Sequence, residues 1–554
     1  MIEYTGLSSR LAGRPWVGTI LGLLAILAVA AYLRLSDLKE LPPPLHVDEA
    51  AQCLNALELM DGKRSLAEFG WTHHLNTAFL PSGVVLKLFG PTAWNLRITE
   101  AAFGVAAVLL TYLLGRSMFS WRVGMVAAAM MSFNHFAVAF SRIGLVNQQS
   151  MTVELLAFFL LWEGFKRRRR LPVFLGGVMA GAGLYLYFGG WVVPVILGMF
   201  PLWVVVFHRR WIRSTWRLAL WGVLGFVVAV LPWLTFPILK PEEFRSRPTE
   251  VFILSDLDRY KAGWETDSTL EVMGLQAYHT FKLFLLGGDS SNQYGYDAPF
   301  LDPASRLLFV IGIGVALLFL RQASHAFLLL WFGLTLVIGG VLTDTPPFAP
   351  RLVGLFPAIM LLTALGLVGV LELLARGVPR WLLPLRKWRL TDQQKRRLLV
   401  PLLLAALAIT ALSSFRWHYR AYFLDYPIAP YAVYWPWIEP MSAVGRYLAT
   451  QKEGTRAYLF HTPGVFAAHP GIRFYIYGRD VAIEDVGCAI APCAIPRPDD
   501  GRSAVYIFLP ETREIMGQVK QELPGGTVVR FPGRVGLDRA PADLFVAYEV
   551  PGAG

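Results

Sequence analysis

The sequence predicts an α-helical polytopic membrane protein with a small α/β domain at its C-terminal end, and three observations predict it. The 554 residues are 55% hydrophobic and only 16% charged, against about 25% charged in a soluble domain. Apolar runs near the length of a bilayer crossing recur along the chain. Basic residues gather in short bursts between those runs, as in FKRRRR (165–170), HRRWIR (208–213) and the segment from Arg376 to Arg397, which is how cytoplasmic loops look. The net charge of +12 therefore reads as membrane orientation. No aromatic-and-basic recognition module is present, so nucleic acid is not an expected partner.

Taken in order, the hydrophobic spans fall near 16–34, 98–115, 123–140, 149–165, 172–188, 191–207, 218–237, 306–320, 325–342, 352–375 and 398–414, about eleven transmembrane helices. The first follows MIEYTGLSSRLAGRP and has no clear small-residue cleavage site, so it reads as a retained helix rather than a signal peptide. Between Arg170 and His208 the apolar stretch is flanked by basic clusters on both sides, and Gly189–Gly190 halves it into a hairpin of two spans. An odd number of crossings puts the two ends on opposite sides. The basic loops 116–122, 166–171, 208–217, 321–325 and 376–397 then share the cytoplasmic side with Arg10 and Arg14. The outer side receives 35–95, 238–305, 343–351 and everything after about 415. The segment 268–286 mixes Glu271, His279 and Lys282 into an apolar pattern and reads as lying along the interface.

Residues 1–415 thus form a transmembrane domain with three long outer loops, and 416–554 form a linker and an extracytoplasmic α/β domain. In that domain AYLF, FYIYG, AVYIFL and LFVAYEV read as short strands and TREIMGQVKQEL as a helix. Cys488 and Cys493, too few for a zinc site without histidines nearby, read as an extracytoplasmic disulfide, and Cys53 as a packed thiol.

The stretch LPPPLHVDEAAQ (41–52) sets Asp48–Glu49 just beyond the first span. Prolines 42–44 cannot continue a helix and fix the exit direction. Acids also favour the start of a helix, so spacing alone supports capping and catalysis equally.

HVDEAAQ after a first transmembrane helix, then LFGPTAWNLRITEAAFGVAAVLLTYLLGRSMF, resembles the protein-mannosyltransferase superfamily of GT-C glycosyltransferases, which includes the aminoarabinose transferases. FSRIGLVNQQS (140–150), FLLGGDSSNQYGYDAPFLDP (284–303) and TPPFAPRLVGLFPAIMLLTALGL (345–367) match the same pattern, and the resemblance spans roughly 16–375. It implies a GT-C fold in the cell (plasma or inner) membrane. It also implies an enzyme that passes a sugar, with inversion, from a polyprenyl-phosphate donor to a hydroxyl acceptor on a lipid, glycan or protein at the outer face. Asp48 matches the family's catalytic aspartate, a base for the acceptor hydroxyl, and Glu49 its acidic neighbour. Arg351, and with it Arg142 and Arg97, sit at outer ends of spans, where a guanidinium can fork onto the carrier phosphate or anchor a helix at lipid headgroups.

Two positions depart from the family pattern. Asn147 stands where many relatives carry a second aspartate; an amide there can hold an acceptor hydroxyl but cannot share base duty. AAQC follows the acidic pair where the aminoarabinose transferases place an arginine, which implies another sugar or acceptor. Cofactors are left open. A divalent metal would draw on Asp48 or Glu49 and at most one of His73 and His74, since neighbouring histidines point different ways. SDLD (255–258) has the D-x-D spacing of nucleotide-sugar enzymes, but so short a match arises readily by chance. A lipid-linked sugar flippase would show inverted repeats and mid-bilayer charges, and neither stands out; an inactive scaffold would not need both acids.

Overall fold

The structure, a computed structural model, describes all residues except 1–14, 43–44, 292, 382–391, 429–437, 462–463, 489, 499–500, 534–542 and 553–554. Of 15–16, 375–381, 392–400 and 438 it describes the backbone alone. The expectations resting on Arg10, Arg14, Pro43 and Pro44, and on the centre of the basic segment 376–397, lie outside the described residues.

Each stretch expected to span is helical. The chain runs through α1 (Pro15–Leu35), α2 (Val47–Met60), α3 (Leu80–Phe89), α4 (Ala93–Met118), α5 (Trp121–Phe133) and α6 (His135–Arg142). It continues through α7 (Asn147–Arg167), α8 (Arg170–Ala182), α9 (Val192–Phe207) and α10 (Arg209–Trp233). Four shorter or more polar helices follow: α11 (Thr235–Leu239), α12 (Pro241–Val251), α13 (Leu257–Gly263) and α14 (Thr269–Leu285). The set closes with α15 (Pro303–Leu318), α16 (Ala323–Leu336), α17 (Phe356–Trp381) and α18 (Asp392–Tyr419). Among the described residues six helical stretches are long and apolar enough to cross a bilayer alone, and the pair α5–α6 would make a seventh. The protein is a multi-pass membrane protein; among the described residues the expected count of about eleven crossings is not reached by length and composition alone, since α7, α8, α15 and α18 do not pass that test.

The 123–140 span is not one rod. Its axis turns by 59° at Asn134, whose side chain accepts from the Ala137 amide at 3.1 Å and donates to the Phe300 carbonyl at 2.7 Å. A capping side chain placed mid-span ends one helix and starts another. The central helices approach backbone to backbone. A Cβ on Gly312 of α15 would lie 1.8 Å from the Leu362 carbonyl oxygen, and one on Gly366 of α17 would lie 1.9 Å from that of Leu308. Close approach through small residues is how helices gain contact where lipid offers no hydrophobic contrast. α14 buries Val272, Gln276, Thr280, Leu283 and Phe284 and exposes Leu270 and Tyr278, so one face belongs to the core.

After α18 the chain builds a five-stranded sheet in the order β2-β1-β3-β5-β4. β1 (Arg456–Phe460) runs parallel to β2 (Ala482–Val486) and β3 (Ala504–Phe508), while β5 (Asp543–Val550) is antiparallel to β3 and β4 (Thr527–Pro532). Alternation decides its faces: Ala457 and Leu459 enter one core, Tyr458 and Phe460 the other. One expectation is corrected here. FYIYG is not a strand; Pro470–Tyr475 is a short helix, started by the His469 side chain accepting from the Gly471 amide and by Pro470 in the first turn. β2 and β4, charged or half-exposed edge strands, lack the apolar signal that marked the others. Cys488 and Cys493 form the expected disulfide, and Cys53 is a buried free thiol.

Candidate active site

The N-terminus of α2 divides the acidic pair. His46 caps the helix: its Nδ1 accepts from the Asp48 amide at 3.1 Å, and its own amide donates to Glu49 Oε2 at 2.9 Å. Glu49 is fully buried. Its Oε1 accepts from Arg97 Nε at 2.9 Å and from the Gly144 amide at 2.7 Å, and its Oε2 accepts from Arg97 Nη2 at 3.0 Å. Burial alone would raise the Glu49 carboxyl; the Arg97 charge and these hydrogen bonds outweigh it and hold it below the usual range. The capping reading is therefore true of Glu49.

Arg97 and Arg142 both turn inward. Arg97 is buried against Glu49 and also donates to the Pro42 carbonyl at 2.9 Å. Arg142 is equally buried and donates to the carbonyls of Leu33 and Leu41 at 2.7 and 2.9 Å. Both guanidinium groups fasten the exit of α1 to the bundle and satisfy carbonyls that a helix end leaves open.

Asp48 lies about 100° round the helix from Glu49 and faces a different neighbourhood. Its Oδ1 accepts from Trp71 Nε1 at 2.7 Å and its Oδ2 from Gln293 Nε2 at 2.9 Å, and 21% of the side chain stays open. His46 Nδ1 stands 3.5 Å from Oδ2, but that nitrogen already accepts the Asp48 amide, so the contact is no charged pair. Trp71 opens a single 3-10 turn, Trp71–His73, in which Thr72 and His73 adopt φ of 53° and 60°. Such left-handed backbone is uncommon for residues with side chains and clusters at functional sites. Gln293 comes from the loop after α14, which is wound around the buried Asp289. That carboxylate accepts from the amides of Ser291, Gly295 and Ala349 at 3.1, 3.1 and 3.0 Å, while burial pushes its carboxyl up.

The same loop contact brings in Arg351, from the turn Ala349–Leu355 that opens α17. Its Nη1 meets Asp344 Oδ1 at 2.6 Å and the Asp344 carbonyl at 2.7 Å, and its guanidinium lies 4.3 Å from the Phe348 ring centroid. Asn147 donates to the Pro350 carbonyl at 2.9 Å. The charges of Arg351, Arg247 and Asp48 all act on the Tyr187 hydroxyl.

His74 is buried and stacked on Tyr187, with ring centroids 5.6 Å apart and planes 17° from parallel. Its Nδ1 pairs with Thr72 Oγ1 at 2.7 Å, and burial lowers its pKa to about 4, keeping the ring neutral. His73 lines an aromatic cavity next to it with Phe69, Phe188, Trp191 and Trp233. Among the described residues no three His, Cys, Asp or Glu side chains converge to hold a metal ion. In SDLD, Asp256 caps α13 and Asp258 is solvent-exposed beside Lys261.

Sequence reasoning missed Trp71, Gln293, Tyr187 and Arg247. Indole and amide donors carry no chemical signature, and Arg247 sits in the charged run PEEFRSRPTE, which reads as solvated surface.

The comparisons with known proteins agree with this architecture. Residues 78–236 match the family model described as dolichyl-phosphate-mannose-protein mannosyltransferase. The fold is similar to that of ArnT from Cupriavidus metallidurans bound to undecaprenyl phosphate, at TM-score 0.54 and 14% identity, covering 96% of this chain and 98% of that one. It is also similar to the Archaeoglobus fulgidus oligosaccharyltransferase, at TM-score 0.53 and 14% identity over 94% of this chain and 70% of the other. A structure of that archaeal enzyme, AglB, with an inhibitory peptide and a dolichol-phosphate matches at TM-score 0.51 and 12% identity, over 85% and 65%. No curated protein matches in sequence. The resemblance read from the sequence is matched by that family model over residues 78–236 and, in fold, by these GT-C structures.

Proposed function

We propose that this chain is an inverting glycosyltransferase that moves a sugar from a polyprenyl-phosphate donor to a hydroxyl acceptor at the outer membrane face. One observation carries the reading: Asp48 is partly open and oriented through both oxygens by neutral donors. The acceptor oxygen attacks the anomeric carbon from the face opposite the phosphate. Its proton passes to Asp48, the carbon–oxygen bond to phosphate breaks, and the polyprenyl phosphate leaves with the electron pair. Arg351, held through Nη1 on Asp344, is the cation assigned here to balance the departing charge. Asn147 and Tyr187 offer neutral polar groups for the acceptor. The bound undecaprenyl phosphate and dolichol-phosphate of the similar structures support a lipid carrier.

The same reading places the N-terminus in the cytoplasm and 35–95, 238–305, 343–351 and the sheet domain outside. Purified protein should consume a polyprenyl-phosphate sugar and ignore the matching nucleotide sugar. Asp48→Asn should lower turnover by about 10²–10⁴ with little effect on folding. Transfer from a nucleotide sugar without lipid, or full activity of Asp48→Asn, would sink the proposal.

A further inference from the structure

α2 is covered from two directions. The short helix α3 and the turn Asn76–Phe79 pack on one side, and the helix Pro470–Tyr475 of the sheet domain packs on another. Phe474 is fully buried in the same apolar cluster as Leu45, Ala50, Cys53, Ala56 and Leu57, with Tyr475 and Tyr477 at its margin. Polar contacts hold both ends. Ahead of the first turn, Ser442 Oγ donates to the Leu45 carbonyl at 3.2 Å. Just past the last turn, the Tyr477 hydroxyl donates to Asp61 Oδ2 at 2.8 Å and accepts from Lys63 Nζ at 3.2 Å.

Contacts between domains of one chain are usually polar and readily parted. Here an entire aromatic side chain from the sheet domain completes the packing of a 14-residue helix that lies outside the long spans. A helix that short has little stability of its own and takes its order from what covers it. Its first turn carries Asp48, whose contacts with Trp71 and Gln293 set where a proton acceptor stands, and a misplacement of about 1 Å at such a group costs about a hundredfold in rate. We infer that the sheet domain is a clamp on the aspartate-bearing helix, with Phe474 and Tyr477 as positioning residues for Asp48. The catalytic part of this inference rests on the glycosyltransferase reading; the clamp does not.

The test uses the full-length protein in detergent with two variants. Hydrogen–deuterium exchange of α2 amides is compared with that of β3, β5 and α17. Phe474→Ala should speed exchange across 47–60 by about tenfold or more while the sheet and α17 keep their protection, because only the helix loses its cover. Turnover should fall by about tenfold to a hundredfold with the KM for donor unchanged. Tyr477→Phe keeps the ring and removes both hydroxyl contacts, so it should show the same pattern at smaller size. Unchanged α2 exchange in Phe474→Ala overturns the clamp, as does faster exchange spread equally over the sheet. Should Phe474→Ala not fold, Tyr477→Phe decides by the same criteria. A wild-type rate in Asp48→Asn would remove the catalytic reading and leave the exchange result standing.

Discussion

Asp48 and Glu49 are neighbours with separate tasks. Glu49 takes the buried guanidinium of Arg97 and two backbone amides, and Asp48 takes an indole and a carboxamide. Removing one partner of a buried pair leaves the other charge unpaired, so Glu49→Gln should cost about 3–5 kcal/mol, read as a lower thermal midpoint in detergent. That loss should exceed any seen in Asp48→Asn. His74 gives a pH signature. Its folded pKa is depressed to about 4 from 6.5, so the unfolded chain binds the proton first as pH falls. The stability it contributes is complete above 6.5 and is lost between 6.5 and about 4. In His74→Phe, which keeps a stacking ring, the midpoint should fall less steeply with pH across that window. At this scale the sequence disclosed the acids, because two adjacent carboxylates beside a membrane span are conspicuous. It hid Gln293, which reaches Asp48 from 245 residues away.

Among the elements, the spans were legible because apolar runs of that length, in a chain so poor in charge, have lipid as their natural solvent. The break between α5 and α6 was not, because the apolar pattern resumes after SFNH and a short polar interruption is tolerated within a span. FYIYG misled for the opposite reason: its aromatic and β-branched residues favour a strand, but the preceding His469-Pro470 pair dictates a helix start. The proposed orientation is checked on two helices. Tyr278 on α14 is exposed, and Arg168 stands at the end of α7. Tyr278→Cys should react with a membrane-impermeant thiol reagent in intact cells and Arg168→Cys should not. The background is low, since Cys53 is buried and the other two cysteines are paired. Labelling of the second site alone would overturn the topology.

For the whole molecule, hydrophobic composition separated the membrane part from the sheet part. What it could not reveal is that the two parts share an apolar cluster, because Phe474 reads as an ordinary residue of the later domain. That shared cluster has a consequence for biosynthesis. A ribosome makes Val47 early and Phe474 only 427 residues afterwards (474 − 47). At about 5–20 residues per second, roughly 20–85 s separate the two. Through that interval the nascent helix would be translocated with an apolar face uncovered, while every later span is still being inserted. Chains truncated by a premature stop between the end of α18 and Phe474 would keep the membrane half and leave the aspartate unplaced. On this view the proposed sugar transfer begins only when the sheet domain has crossed the membrane, and a partly made chain stays idle.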